Sequence, residues 1–277
     1  LPKGAVSIVP MDRTVGNLLV TDDRYKLLTF TGSPWVGWKM KADAGEKPVV
    51  LELGGNAGVI VGAHTALDTA IPKCMIGAFA YQGQVCIHAQ RFFVHESLMA
   101  EFLKRMKSET EKLKIGEPTE PGVQFSSMID EKNAERIESW VNEAVEGGAE
   151  VVTGGNREKA FYPPTILINA PADCQACVEE AFGPIITVES FSTFDQAIDM
   201  VNDSKFGLQA GVFTENIKEA HRAFNNIEAG GVIINDIPTF RVDHMPYGGV
   251  KQSGLGREGV KYAMQDMLEP RIMVIDQ

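Results

Sequence analysis

Two spacings of apolar residues alternate along this chain. Short apolar runs at 5–9 (AVSIV), 26–30 (KLLTF), 49–53 (VVLEL), 58–61 (GVIV), 91–95 (RFFVH), 210–214 (AGVFT) and 231–235 (GVIIN) read as strands. Between them lie helical stretches. One opens at Ser33 (SPWVGWKMKADAG), one covers about 67–81, and a third covers 97–113. In a fourth, 130–146, Ile137, Trp140, Val141, Ala144 and Val145 fall on a single face. Thr193 and Gln196 have capping-box spacing ahead of FDQAIDMVND. Thr214 stands where it can cap a helix carrying Ile217, Ala220, His221, Phe224 and Ile227, which Gly230-Gly231 would stop. Strand, crossover helix and strand in alternation predict an α/β fold with a parallel sheet.

Composition narrows the function classes. With 277 residues, 44% of them hydrophobic, the chain can bury a real core, in one large domain or two smaller ones. The net charge of -11 and the scatter of Lys and Arg leave no basic footprint for nucleic acid or an anionic membrane. No apolar run is long enough to cross a bilayer, and the first residues lack a signal-peptide layout. Cys74, Cys86, Cys174 and Cys177 are too few and scattered for a disulfide scaffold, which makes a reducing, cytoplasmic setting the expectation. The first residue is Leu rather than Met, and the chain starts as though in mid-domain; a fragment or processed chain is expected.

Five short motifs carry candidate chemistry, each with a plainer reading beside it. FTGS places Gly32 and Ser33 between a strand and a helix N-terminus, a seat for phosphate or an ordinary turn. LELGGN puts Glu52 at the end of an apolar strand, a buried general base or a solvated strand end, with Gly54-Gly55 allowing close backbone approach. GQVCIH offers Cys86 as a nucleophile or a packed thiol; His88 at i+2 does not share a helix face with it and is a poor partner. EEAFGP reads as a helix or turn stop, and MPYGGVKQSGLGREG as a dense glycine loop that could cradle a ligand or simply pack. A lone CQAC (174–177) has no second pair and no His at finger spacing, so incidental cysteines are expected there and no metal site.

In series, FTGS, LELGG, GQVC, EEAFGP and PYGGVKQSGLGREG resemble the aldehyde dehydrogenase superfamily, in its C-terminal portion, from the first residue to the last. The resemblance implies the end of a Rossmann-like coenzyme-binding domain (1–54), an α/β catalytic domain with a mainly parallel sheet (55–252), and a return segment (253–277). That segment ends in RIMVI, an oligomerisation strand. It implies oxidation of a small-molecule aldehyde to a carboxylic acid with NAD or NADP, through a thiohemiacetal and thioester on Cys86, with Glu52 activating water. By the same resemblance Glu180 holds the nicotinamide ribose, Phe182 lies against the nicotinamide, Ser33 contacts the pyrophosphate, and Gly54 sits near the carboxamide. Ile237 and Phe240 would wall the aldehyde pocket; Arg241 or His244 could meet an anionic tail, although an Arg241–Asp243 pair or subunit contact is the favoured reading of that arginine. The family's oxyanion-holding Asn and its adenosine-ribose contacts would precede residue 1, and Asn56 stands where the family often has Lys. A homodimer or homotetramer is expected. Two alternatives stay open: the branch that transfers the acyl group to coenzyme A, and a catalytically incompetent piece with a structural role.

Overall fold

The computed structural model describes residues 2–276. Asp12 opens helix α1 (Arg13–Thr21) by accepting the Val15 N–H at 2.9 Å. Then follow β1 (Leu28–Thr31), α2 (Pro34–Asp43), β2 (Val49–Glu52), β3 (Ala57–Val61) and α3 (Leu67–Phe79), which tightens into a 3-10 turn at Ala80–Gly83. Next come β4 (Ala89–His95), α4 (Met99–Thr110), α5 (Glu131–Glu146), β5 (Glu150–Thr153), β6 (Thr165–Ile168), α6 (Gln175–Val178) and β7 (Ile185–Phe191). The rest is α7 (Phe194–Asn202), β8 (Phe206–Gly207), β9 (Gln209–Phe213), α8 (Ile217–Asn226), β10 (Gly231–Ile234), β11 (Val250–Lys251), β12 (Gly254–Leu255) and α9 (Val260–Asp266).

A seven-stranded sheet, ordered β10-β9-β3-β4-β7-β6-β5, is parallel except for the β5–β6 pair, as the helix-strand alternation predicts. Its central strands are buried on both faces, so they read as continuous apolar runs. Alternate residues divide between two cores. Val59, Val61, Phe92 and Val94 face α3 and α4 with Ile71, Phe79, Phe102 and Met106. Ile60, Phe93 and Val212 face α7 and α8 with Ile198, Val201 and Ala223. The apolar face of α5 closes a third cluster over β6.

A smaller sheet holds β1 parallel to β2, with β12 returning antiparallel to β2. The chain therefore leaves the small sheet at Glu52 and enters the large one at Ala57, with only Leu53–Asn56 between them. Cys86 precedes β4 and Glu180 precedes β7, and β3, β4 and β7 are neighbours. Three motifs far apart in sequence thus approach the sheet along one edge, which is how the fold assembles the site.

Some expectations fail for physical reasons. The run 5–9 is not a strand: Val6 and Ile8 are exposed, and the segment pairs with nothing among the described residues. RIMVI forms no strand within this chain, where Ile272 to Ile275 are exposed; the edge expected to pair with it belongs to a neighbouring subunit. Helix α8 is capped by Asn216, whose side chain accepts from Lys218 N–H; Thr214 stands two residues outside and accepts from Asn216 N–H. At α7 the Thr193 side chain does accept from Gln196 N–H, but the Gln196 side chain reaches back to Ser192 rather than Thr193. Helix α1 and strands β5, β6 and β7 lie outside the elements expected from the pattern.

Arg91, on β4 and 6% exposed, is the one buried cation of the large sheet's centre among the described residues. Its guanidinium donates to the carbonyls of Asn56, Met200, Val201 and Asp203 at 3.0–3.2 Å, so it caps the C-terminus of α7 and ties it to the start of β3. Substituting Arg91→Met orphans these carbonyls and is expected to destabilise the fold by about 3 kcal/mol. Arg91→Lys is expected to recover little of that, since an ammonium cannot reproduce the fork. Urea unfolding midpoints check both.

Candidate active site

The Leu53–Asn56 crossing is shaped by two glycines. A Cβ on Gly54 would collide with the Glu180 carboxylate, and one on Gly55 would sit 2.6 Å from the Cys86 carbonyl oxygen. The Gly55 N–H donates to Glu180 Oε1 at 2.9 Å. Asn56 then fixes the far side, its amide donating to the Cys177 carbonyl at 3.1 Å and accepting from Ser204 at 2.6 Å. Backbone contact joins LELGG to GQVC, and the Glu180 carboxylate on the Gly55 N–H joins it to EEAFGP.

Cys86 lies on a loop entered through a left-handed turn. Tyr81, Gln82 and Gly83 all have φ between 54° and 66°, a conformation costly for the first two. Gly83 is required on space as well as on φ, because a Cβ there would meet the Gly183 carbonyl. Gln84 holds the loop to the approach to α5, accepting the Ile129 N–H at 3.0 Å. Cys86 itself is half-buried, and its sulfur lies 3.4 Å from the Tyr247 hydroxyl. Burial pushes its thiol pKa up; the Tyr247 hydroxyl pulls it down, while the Glu180 and Glu52 carboxylates push it up again. His88 takes no part: it is buried, bonds the Ala78 carbonyl at 2.8 Å, and burial lowers its pKa to about 4.

Glu52 ends β2 in a dry place. It is 4% exposed, and neither carboxylate oxygen has a hydrogen-bond partner among the described residues. Burial, reinforced by Glu258, pushes its pKa up to about 8 against the pull of Arg241 and Arg257. A carboxyl in that state is poised to take a proton near neutrality. Glu180 is less isolated. Burial pushes it up to about 7, while the Gly55 N–H and Arg136 pull it down.

Glu180 also lines a cavity of about 820 Å³ with Ser33, Pro34, Trp35, Trp38, Lys39, Glu179, Lys205, Phe206 and Gln252. Ser33 stands at the N-cap of α2 but makes no capping bond, and Pro34 at N1 leaves the helix end open. The Trp38 indole N–H is buried without an acceptor among the described residues. A free helix N-terminus and an unpartnered N–H suit the phosphates of a dinucleotide, with Lys39 and Lys205 at the rim paired to Asp43 and Glu179, and the Glu180 carboxylate suits ribose hydroxyls; the donor set fits the expected coenzyme. Phe182 is 41% exposed, on a backbone with φ 43°.

On the other side of the sulfur lies the loop before β11. Phe240 and Arg241 are exposed there, whereas Ile237 is 5% exposed in the core beside Gly77. The favoured Arg241–Asp243 pair does not form. Arg241 instead donates to Glu258 Oε2 at 2.9 Å and stacks 4.1 Å over the Tyr247 ring, because the return segment brings Glu258 alongside Tyr247. Tyr247 and Glu258 are site residues that sequence reasoning passes over, although both lie inside the glycine loop MPYGGVKQSGLGREG. Spacing could not reveal them, since Tyr247 meets Cys86 across 161 residues of chain.

In CQAC, Cys174 and Cys177 are both free and buried at α6. Hydrogen bonding from Cys177 lowers Cys174 to about 7, and Cys177 is pushed up correspondingly.

Comparison with known proteins places this geometry. The model of the aldehyde dehydrogenase family matches residues 1–273. A 3-sulfolactaldehyde dehydrogenase of Priestia aryabhattai is 44% identical over the whole chain, and a lactaldehyde dehydrogenase of Methanococcus aeolicus 37%. This chain spans 58% and 59% of their lengths, respectively. Among solved structures, aldehyde dehydrogenase 21 from Physcomitrella patens, in complex with the reaction product succinate, superposes with a TM-score of 0.95 at 48% identity, over 97% of this chain and 56% of that one. Glyceraldehyde-3-phosphate dehydrogenase from Methanocaldococcus jannaschii, complexed with NADP, gives 0.89 at 38% identity, over 91% of this chain and 55% of that one. The run of motifs, the mainly parallel α/β fold and these matches agree: the chain belongs to the aldehyde dehydrogenase family.

Proposed function

We propose that the protein of which this chain forms at least part oxidises a small aldehyde to a carboxylic acid with NAD or NADP, using Cys86 as nucleophile and Glu52 as base. One observation carries the reading: a half-buried thiol, an unpartnered buried carboxyl and a cleft-facing carboxyl meet around the Gly54-Gly55 crossing. The Cys86 thiolate adds to the carbonyl carbon, and in this reading its own backbone N–H donates to the oxyanion that develops. Bound in the cleft of Ser33 and Glu180, NAD(P) supplies the hydride acceptor. Loss of hydride from the adduct leaves a thioester on Cys86. Glu52 then takes a proton from water as its oxygen adds to the thioester; the C–S bond breaks, its electron pair returns to sulfur, and the acid departs. Gly54 and Phe182 border the nicotinamide in this reading.

For the substrate we propose an aldehyde with a short anionic tail. Arg241 is exposed with donors to spare beyond its Glu258 bond, and Phe240 gives an apolar surface next to it. The sulfolactaldehyde for which one relative is named is a compound of this kind, and succinate, the reaction product bound to one structural neighbour, carries a carboxylate at each end. Residues 1–54 are proposed as the end of the coenzyme-binding domain, 55–252 as the catalytic domain and 253–277 as the return segment; β12 pairing on β2 supports that division. A homodimer or homotetramer in the cytoplasm is proposed with it. The exposed apolar residues 272–275 and the four free cysteines support those two points.

Two outcomes test this. With its pKa at about 8, Glu52 gains ionised fraction as pH rises, so hydrolysis-limited turnover is expected to increase roughly fivefold from pH 7 to pH 8, about twofold more by pH 9, and level off above that. Glu52→Gln is expected to lower kcat by about 10²–10⁴, abolish that rise and leave a thioester detectable by mass on Cys86. Arg241→Ala is expected to raise KM for a carboxylate-bearing aldehyde by roughly 10–100-fold, while a neutral aldehyde of equal length changes little. Steady-state kinetics on the pair of substrates decide that.

A further inference from the structure

We propose that Tyr247 is a catalytic hydrogen-bond donor to the Cys86 sulfur, holding the thiol in place and stabilising the sulfur whenever it carries negative charge. The inference rests on the reading of Cys86 as nucleophile, and it adds a residue to that chemistry. Its basis is a contact: the Tyr247 hydroxyl stands 3.4 Å from Sγ, and among the described residues no other side chain hydrogen-bonds that sulfur. A thiol can donate to a phenol or accept from it. A thiolate can only accept, so ionisation turns the pair into an O–H···S⁻ bond of the stronger, charge-assisted kind.

The phenol is built into its position. Tyr247 is 3% exposed. Its backbone exchanges two hydrogen bonds with Glu258, at 3.1 and 2.6 Å, in an isolated antiparallel bridge. Arg241 covers one face of the ring at 4.1 Å and is itself held by Glu258 at 2.9 Å. The next residue, Gly248, passes so near Glu52 that a Cβ there would lie 2.9 Å from Oε1. One loop therefore sets the Tyr247 donor against the sulfur and closes over the base.

The charges around this corner make the donor useful. Glu52 and Glu180 both oppose a thiolate, while Arg241 lies behind the ring with Glu258 as its partner, and Arg257 turns toward the Gly249 and Gly256 carbonyls. Burial keeps the Tyr247 phenol protonated, with its pKa raised above the usual range, so the hydrogen stays available at working pH. The sulfur is anionic twice in the cycle: before it adds to the carbonyl, and when the C–S bond of the thioester breaks and the electron pair returns to it. In both states the hydroxyl donates, and no atom is transferred from the tyrosine.

The test reads the thiol without coenzyme or turnover. In the whole protein, the rate of Cys86 alkylation by iodoacetamide is followed against pH, with the modified peptide identified by mass and Cys86→Ser as the blank. Tyr247→Phe is expected to move the midpoint up by about one pH unit and slow labelling at neutral pH by roughly tenfold, with the plateau at high pH unchanged. Incorporating difluorotyrosine at position 247, a stronger donor on the same ring, is expected to move the midpoint down, which covers the case of a phenylalanine variant that packs badly. Superimposable profiles for all three proteins overturn the inference and leave Cys86 as nucleophile. Wild-type labelling that shows no preference for Cys86 over Cys74, Cys174 and Cys177 overturns the nucleophile reading itself.

Discussion

The close approach of a bare backbone at Gly54-Gly55 is the constraint on which the site depends. Two residues earlier is Glu52; pressed against the glycines are the Glu180 carboxylate and the Cys86 carbonyl. No side chain larger than hydrogen fits at either position without moving a candidate catalytic group. The crossing is also the passage from the small sheet to the large one. Its geometry is therefore fixed from both ends by strand pairing, and from beyond by Asn56 bonded to Cys177 and Ser204. Tolerance is tight because backbone, unlike a side chain, has no rotamer to escape into.

Burial dominates the electrostatics around this crossing. For Glu52, Glu180 and Cys86 alike, loss of water is the largest influence and favours the uncharged form. Arginines near Glu52 lower its pKa by less than burial raises it, since neither forms a hydrogen bond with the carboxylate. Glu180 gains the Gly55 N–H and titrates lower. Two carboxyls flanking one sulfur are thereby separated in acidity by hydrogen bonding to a single backbone group, with the better-solvated one facing the Ser33 cleft.

Much of the fold is legible because parallel strands buried on both faces leave continuous apolar runs. β3, β4 and β9 stand out in this way; β10, a half-buried edge strand, and the single apolar face of α5 are legible as well. The segment 5–9 is equally apolar and forms no strand, because a strand also needs an edge, and pairing is decided by residues remote in sequence. α1 is short, nine residues after its capping Asp12, and its apolar stripe of Val15, Leu18 and Leu19 stays exposed, with only Val20 buried. For the site, Cys86, Glu52 and Glu180 become readable through the series of motifs rather than through local chemistry, which leaves the thiol and the carboxyls open. Tyr247 and Glu258 stay hidden inside one of those motifs: what distinguishes them is a bond across the fold, and no spacing encodes it.

The left-handed turn at Tyr81–Gly83 has a mechanical implication. Gly83 lies against the Gly183 carbonyl with no room between them, so the loop bearing the sulfur and the loop bearing Glu180 and Phe182 are geared together. A side chain at position 83 would wedge the two loops apart, so a single missing methyl group keeps the sulfur within reach of the carboxyl that lines the cleft near Ser33.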